Sequence, residues 1–215
     1  RAVARPEGDR VLLDDGRRLE ADRVVWACGP WLGVLFPGVV TVRATHQDLY
    51  FLDGGPAWRT PRVPGWIDYD GAIYGTGDLD GHGVKVAPDR EGSPLDPRDP
   101  LPAPDPATER EARAYLARRF PPLAGAPLRS ARTCRYELSP DSHFVAAPHP
   151  DQPTHWLLGG GSGHGFKHGP ALADAVIGAL RDGTALPASF ALGERAPGRS
   201  LRTAGSGSAG APPPD

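Results

Sequence analysis

The sequence predicts an α+β fold in which an antiparallel or mixed sheet dominates and helices are few. Three observations lead there. The apolar residues fall in short blocks rich in Val, Ile, Leu, Tyr and Phe, and clusters of Gly, Pro and Asp separate the blocks. Only two segments, 109–120 and 170–180, carry helix signals, and they do not alternate with the strands as a doubly wound parallel sheet would require. The 28 Gly and 26 Pro would suggest disorder if spread evenly, but they concentrate in turns and at the C-terminal end, while 39% of the chain is hydrophobic.

Taken in order, Val11–Leu13 and Arg17–Leu19 read as a hairpin about Asp14-Asp15-Gly16, whose Asp-Gly pair suits positive backbone dihedrals. The stretch 21–27 reads as a buried strand running into Cys28-Gly29-Pro30-Trp31. Val39–Thr45 and Leu49–Leu52 read as two further strands, and 53–70 as an irregular excursion. Short strands follow at Ala72–Gly75 and Gly83–Ala87, then a proline-dense loop over 92–106, where Asp96, Asp99 and Asp105 read as solvated charges. Thr108 with Glu111 forms a capping-box signal for the helix Glu109–Phe120, which Pro121-Pro122 ends. Strands are expected at Arg129–Tyr136, Phe144–Ala147 and Trp156–Gly159. A Gly-rich stretch then leads into a helix over Pro170–Leu180, with Pro in its first turn and Gly183 beyond its end. From residue 193 the composition predicts a disordered tail. The last strand, Gly-rich turn and helix together resemble a piece of dinucleotide-binding architecture, in which a helix N-terminus meets a polar or anionic ligand.

The charge balance excludes some functions. With 24 basic and 26 acidic side chains and no run of Lys or Arg, nothing points to nucleic acid, and no apolar stretch is long enough to span a membrane. Two cysteines need no disulfide framework, so a reducing, cytoplasmic setting is the expectation. His143, His149, His155, His164 and His168 form no ligand-spaced set with Cys, so no zinc site is expected. Ser162 stands in Gly161-Ser162-Gly163, but residue 164 is His, so the hydrolase pattern Gly-x-Ser-x-Gly is not met. There is no Met and no Gly-x-Gly-x-x-Gly after an opening strand. The expectation is therefore that an N-terminal unit of at least about 30 residues is missing from the chain.

Lysine usage singles out two positions. Only Lys85 and Lys167 stand against 22 Arg, and each closes a Gly-His-Gly-x-Lys loop, Gly81–Lys85 and Gly163–Lys167. Lys is a compact point charge that reaches small sites where Arg does not fit. Cys134 by itself reads as a small buried hydrophobe, as does Cys28 after its strand.

The segment Thr133-Cys134-Arg135-Tyr136-Glu137-Leu138-Ser139-Pro140-Asp141-Ser142-His143-Phe144 is similar to one found in monomeric sarcosine oxidase and N-methyltryptophan oxidase, FAD-dependent amine oxidases of the D-amino acid oxidase-like superfamily. The resemblance continues through Gly159–Lys167 and includes the stretch 21–31, ending Gly29-Pro30-Trp31, and the span Tyr74–Lys85. It implies the C-terminal part of an FAD-binding Rossmann-like domain over 1–36 and 133–192, with a substrate domain over 37–132. It also implies that FAD is attached covalently through Cys134, and that Lys85 lies by the flavin N5 and assists the reaction with oxygen. Lys167 would hold a substrate carboxylate, and Tyr74 and Tyr136 would line the substrate pocket. Gly29, Trp31, Gly161, Ser162, Gly163, His164, Gly165, Phe166 and Lys167 would contact the cofactor. The implied reaction is oxidation of a secondary or N-methyl amino acid-type amine to an imine, with O2 reduced to hydrogen peroxide, by a monomer. One departure is that Asp89 stands where the family has an active-site His, four residues after the lysine, so a preference other than sarcosine is expected. The alternative reading is a truncated, non-catalytic remnant with an incomplete FAD site.

Overall fold

The computed structural model describes residues 3–198. It is an α+β structure of three sheets and few helices, divided into two compact units. Their described residues are 3–44 with 136–198, and 45–135. The divisions fall at Ala44/Thr45 and Arg135/Tyr136, later along the chain than the boundaries expected from sequence.

The first unit opens with an antiparallel meander of β1 (Val3–Glu7), β2 (Arg10–Leu13) and β3 (Arg18–Glu20). Its second turn is the expected one, with Gly16 at φ 81°. A second sheet has the order β10 (Val145–Pro148), β11 (His155–Gly159), β4 (Val24–Trp26); β10 and β11 are antiparallel, β11 and β4 parallel. Trp26, Leu32, Phe36, Val145 and Leu157 form the core of this unit. Leu32 and Phe36 come from the short helix α1 (Leu32–Leu35) and its C-terminal end. The Trp26 indole N–H donates to buried His155 Nδ1 at 2.8 Å.

The second unit is built on the sheet β6 (Trp66–Asp68), β7 (Ile73–Thr76), β8 (Val84–Pro88), β5 (Arg43–Leu52), β9 (Leu128–Leu138), in that order. Side chains on a strand alternate between faces, and here the alternation separates structure from chemistry. One face carries Tyr50, Leu52, Ile73, Val84 and Val86, packed against Ala112, Tyr115 and Leu116 of α2 (Pro106–Arg119). The opposite face carries Leu49, Phe51, Tyr74, Ala87 and Cys134 as a separate cluster.

Four sequence expectations are corrected. The strands expected at Val39–Thr45 and Leu49–Leu52 are replaced by the single ten-residue β5, because His46, Gln47 and Asp48 find partners in or beside the sheet and do not break it. The helix cap is Asp105 and not Thr108: its carboxylate accepts from the Ala107 N–H at 2.8 Å, while Pro106 occupies the first turn, where its missing N–H costs nothing. Asp105 is thus no idle loop charge. The excursion 53–70 contains edge strand β6, whose Trp66 stacks on Tyr115 at 5.5 Å. The second predicted helix is α3 (Gly169–Asp182), closed by Gly183 at φ 68° as expected. Of the tail predicted from residue 193, the described part includes Arg195, which bonds the Asp141 carboxylate and the carbonyls of Phe144 and Ala191; the remainder lies outside the described residues.

Candidate functional site

Two groups of sequence-predicted residues come together, one in each unit. In the second unit, Lys85 and Tyr74 are near neighbours across the β7–β8 ladder, where Thr76 pairs with Lys85 and Tyr74 with Ala87. The Lys85 ammonium lies over the Tyr74 ring, 4.5 Å from its centroid, and this cation–π contact restrains a long side chain. Cys134, a half-buried free thiol on β9, packs into the same cluster with Leu49, Phe51 and Ala87. Arg132, two residues earlier on the same strand face, places its guanidinium 4.9 Å from the Phe51 ring centroid. The result is one sheet face bearing an ammonium, a phenol, a thiol and a guanidinium on an apolar floor.

The residues between these point the other way. Buried Asp48 accepts from the Asp105 N–H at 2.8 Å and from the Thr133 hydroxyl at 2.9 Å. It thereby ties β5 to β9 and to the start of α2. Burial and the Asp48 charge push the Tyr50 phenol above its ordinary range.

In the first unit the Gly-rich turn after β11 is held by two devices. Ser162 sits at φ 44°, unusual for a residue with a side chain, and is fully buried. Its hydroxyl lies 3.1 Å from the Gly160 carbonyl, to which it donates, and 3.2 Å from the Ser139 N–H. The second device is Glu137, whose Oε1 accepts from the Gly161 N–H at 3.2 Å. Burial pushes the Glu137 carboxyl above the usual carboxylate range, and the N–H groups of Gly160 and Gly161 oppose the shift. Burial and then the nearby Glu137 raise the Cys28 thiol as well. At the ends of parallel β4 and β11, beside the start of α3, lies a cavity of about 200 Å³ lined by Gly29, Glu137, Phe144, Gly161 and Gly165 among others. Such strand ends are where open α/β sheets receive ligands.

The profile of the family described as FAD dependent oxidoreductase matches residues 1–178. The chain belongs to that family. A monomeric sarcosine oxidase of Streptomyces avermitilis is 37% identical over 124 residues, covering 55% of this chain and 32% of that protein. One from a Bacillus species is 29% identical over 166 residues, covering 73% and 42%. Among solved structures, the fructosyl peptide oxidase from E. terrenum superposes with a TM-score of 0.77 at 22% identity, covering 93% of this chain and 50% of that one. Amadoriase I of Aspergillus fumigatus, a fructosyl amine:oxygen oxidoreductase, gives 0.71 at 24%, covering 88% and 47%. The chain thus spans about a third to two fifths of the curated relatives and about half of the solved structures.

The first-unit residues suit the cofactor of an FAD-dependent oxidoreductase. Side chains at the turn would fill the cradle: a Cβ on Gly165 would stand 2.9 Å from the Gly161 Cα, and one on Gly159 would stand 2.9 Å from Glu137 Oε2. That Oε2 is buried and has no hydrogen-bond partner among the described residues.

The other predicted residues are placed as follows. Gly29 (φ 55°) lines the cavity; Trp31 is 40% exposed. His164 points its Nε2 at the Ser142 carbonyl, 2.9 Å away, while Phe166 stands fully exposed. Exposed Lys167 donates to the His164 carbonyl at 3.3 Å. Gly163 is exposed at φ 77°. Tyr136 is half-buried and falls in the first unit, although Cys134, two residues before it, falls in the second. The Ser162 hydroxyl is engaged within the turn itself, donating to the Gly160 carbonyl and accepting from the Ser139 N–H, so this residue shapes the loop. Glu137 and Phe51 were not singled out from sequence; Glu137 depends on a long-range contact with Gly161.

Proposed function

We propose that this chain supplies the substrate-facing residues and the reactive-end flavin contacts of an amine oxidase acting on secondary or N-alkyl amines of amino-acid type. The observation that carries the proposal is the shared sheet face of Lys85, Tyr74 and Cys134, opposite the face that α2 covers. Bound FAD would supply the two-electron chemistry by which the amine would be oxidised to an imine that water hydrolyses, the two hydrogens it loses ending on O2 as hydrogen peroxide. Cys134 would be bonded through Sγ to the flavin 8α-methyl. The Lys85 ammonium, restrained over Tyr74, stabilises the negative charge that grows on oxygen. Lys167 holds the substrate carboxylate through N–H groups beyond the one given to His164. Tyr74 and Tyr136 wall the substrate, and Gly29, Trp31 and the Gly161–Lys167 turn meet the cofactor. We place residues 45–135 as the substrate domain and the first unit as part of the FAD-binding domain.

Asp89 sharpens the substrate class. It is 7% exposed, immediately after β8 and in phase with Lys85 and Ala87. An acidic group there favours an amine whose N-substituent carries hydrogen-bond donors over the bare methyl of sarcosine. The solved relatives named as fructosyl amine and fructosyl peptide oxidases are in keeping with that choice.

The test uses the full-length protein. Flavin fluorescence should migrate with the polypeptide on a denaturing gel and vanish from it in Cys134→Ser; flavin released completely from the parent would exclude the linkage. Lys85→Met should slow reoxidation of the reduced enzyme by O2 by roughly 10²-fold or more while substrate binding changes little. Unchanged oxygen reactivity would remove Lys85 from that role, and substrate turnover with a dye but without oxygen consumption would mark a dehydrogenase.

A further inference from the structure

Glu137 is an acid that the amine-oxidase chemistry does not use. It follows Tyr136 on β9, so alternation turns it away from the tyrosine's side and toward the Gly-rich turn. Oε1 is satisfied by the Gly161 N–H, but Oε2 has neither solvent nor a hydrogen-bond partner among the described residues. A buried carboxyl oxygen left unpaired keeps its full desolvation cost, so in a working protein it needs a partner. The side chain borders the cavity of about 200 Å³ at the ends of β4 and β11, and only glycine at 159 leaves room for the carboxyl. Among the described residues no Lys, Arg or His lines that cavity, so what they offer there is a hydrogen bond from Glu137.

We propose that Glu137 is a cofactor-contacting residue whose Oε2 hydrogen-bonds a hydroxyl group of the bound flavin nucleotide. A hydroxyl suits both protonation states of the acid, because it can donate to a carboxylate or accept from a carboxylic acid. Burial raises the carboxyl above its ordinary range, which favours the neutral acid as donor. FAD carries hydroxyls in two places, on the ribityl chain and on the adenosine ribose, and the chemistry is the same for either. The inference rests on the flavin reading of the site.

The experiment measures equilibrium flavin binding to the full-length protein in a Cys134→Ser background, by quenching of flavin fluorescence. Glu137→Leu should weaken FAD about tenfold or more, and Glu137→Gln, which keeps a donor and an acceptor, should recover most of the loss. Riboflavin and FAD carrying 2′-deoxyadenosine separate the two sources. Ribityl contact predicts that the Leu variant weakens riboflavin as much as FAD. Adenosine contact predicts that riboflavin is unaffected and that the 2′-deoxy form loses affinity only against the parent. Equal affinity of parent and Leu variant for FAD would overturn the proposal. So would a uniform loss for every ligand, unrescued by Gln and matched by a lower melting temperature of the flavin-free protein, which would make Glu137 a purely structural tie. If no flavin binds the Cys134→Ser parent at all, the proposal fails together with the flavin reading; binding that ignores residue 137 defeats this proposal alone.

Discussion

At the scale of single residues, the buried polar groups carry the sharpest expectations. His155 is fully buried and accepts from the Trp26 indole through Nδ1, a bond only a neutral ring can make. Burial lowers its pKa from the ordinary 6.5. Below about 6.5 the unfolded chain binds a proton that the folded chain refuses, so stability is full above that pH and falls as pH drops toward the folded value. Urea midpoints should therefore decline between pH 7 and pH 5, and His155→Gln should flatten that decline; an identical slope would contradict this account. Asp48 poses the opposite problem, an acceptor whose donors depend on it. Asp48→Ala strands the Asp105 N–H and the Thr133 hydroxyl, at a cost of about 2 kcal/mol read from denaturant unfolding. Neither role was legible in the sequence, because each depends on partners 57 and 85 residues away for Asp48 and 129 for His155. Lys85 and Cys134, by contrast, stood out through rarity and through the segment around them.

At the scale of elements, strands were legible in type and helices at their C-terminal ends. The Gly183 stop is a local backbone requirement and shows in the sequence. The start of α2 was misread because Asp105-Pro106 and Thr108-x-x-Glu111 are both reasonable caps, and the choice was made by Asp48, which grips the Asp105 N–H from β5. Asp105→Ala should cost about 1 kcal/mol, and Thr108→Ala much less, by thermal or urea unfolding. The reverse order would restore the capping box. β5 was split in two for a similar reason: a polar Thr-His-Gln-Asp run looks like a break until its partners are known. Gln47, for instance, donates to the Arg90 carbonyl and accepts from the Gly92 N–H.

At the scale of the whole molecule, residues 45–135 are one uninterrupted stretch set within the other unit's sequence. Their two ends lie on β5 and β9, which are neighbours in one sheet. They also own a core, built from Tyr50, Leu52, Ile73, Val84, Val86, Leu116 and Leu123. A polypeptide of residues 45–135 alone should therefore show β-rich circular dichroism and a cooperative thermal transition. A featureless melt would show that this core is not self-sufficient. The α+β class was readable from pattern. The positions of the divisions were not, since Ala44/Thr45 and Arg135/Tyr136 both fall inside strands and leave no change in composition to read.

The alternation of β9 has a further consequence. Thr133 serves the side of the sheet that α2 covers and Cys134 the opposite side, so the two requirements are locked in phase. Losing or gaining one residue in the first half of this strand would exchange them, hiding the thiol under the helix and leaving Asp48 without its hydroxyl. No single replacement elsewhere would restore both. Length changes among natural versions of this chain should therefore fall in the loops, 53–65 and 90–104 among them, and spare β9 or come two residues at a time. Aligned sequences would show that parity as a gap-free column block around the cysteine.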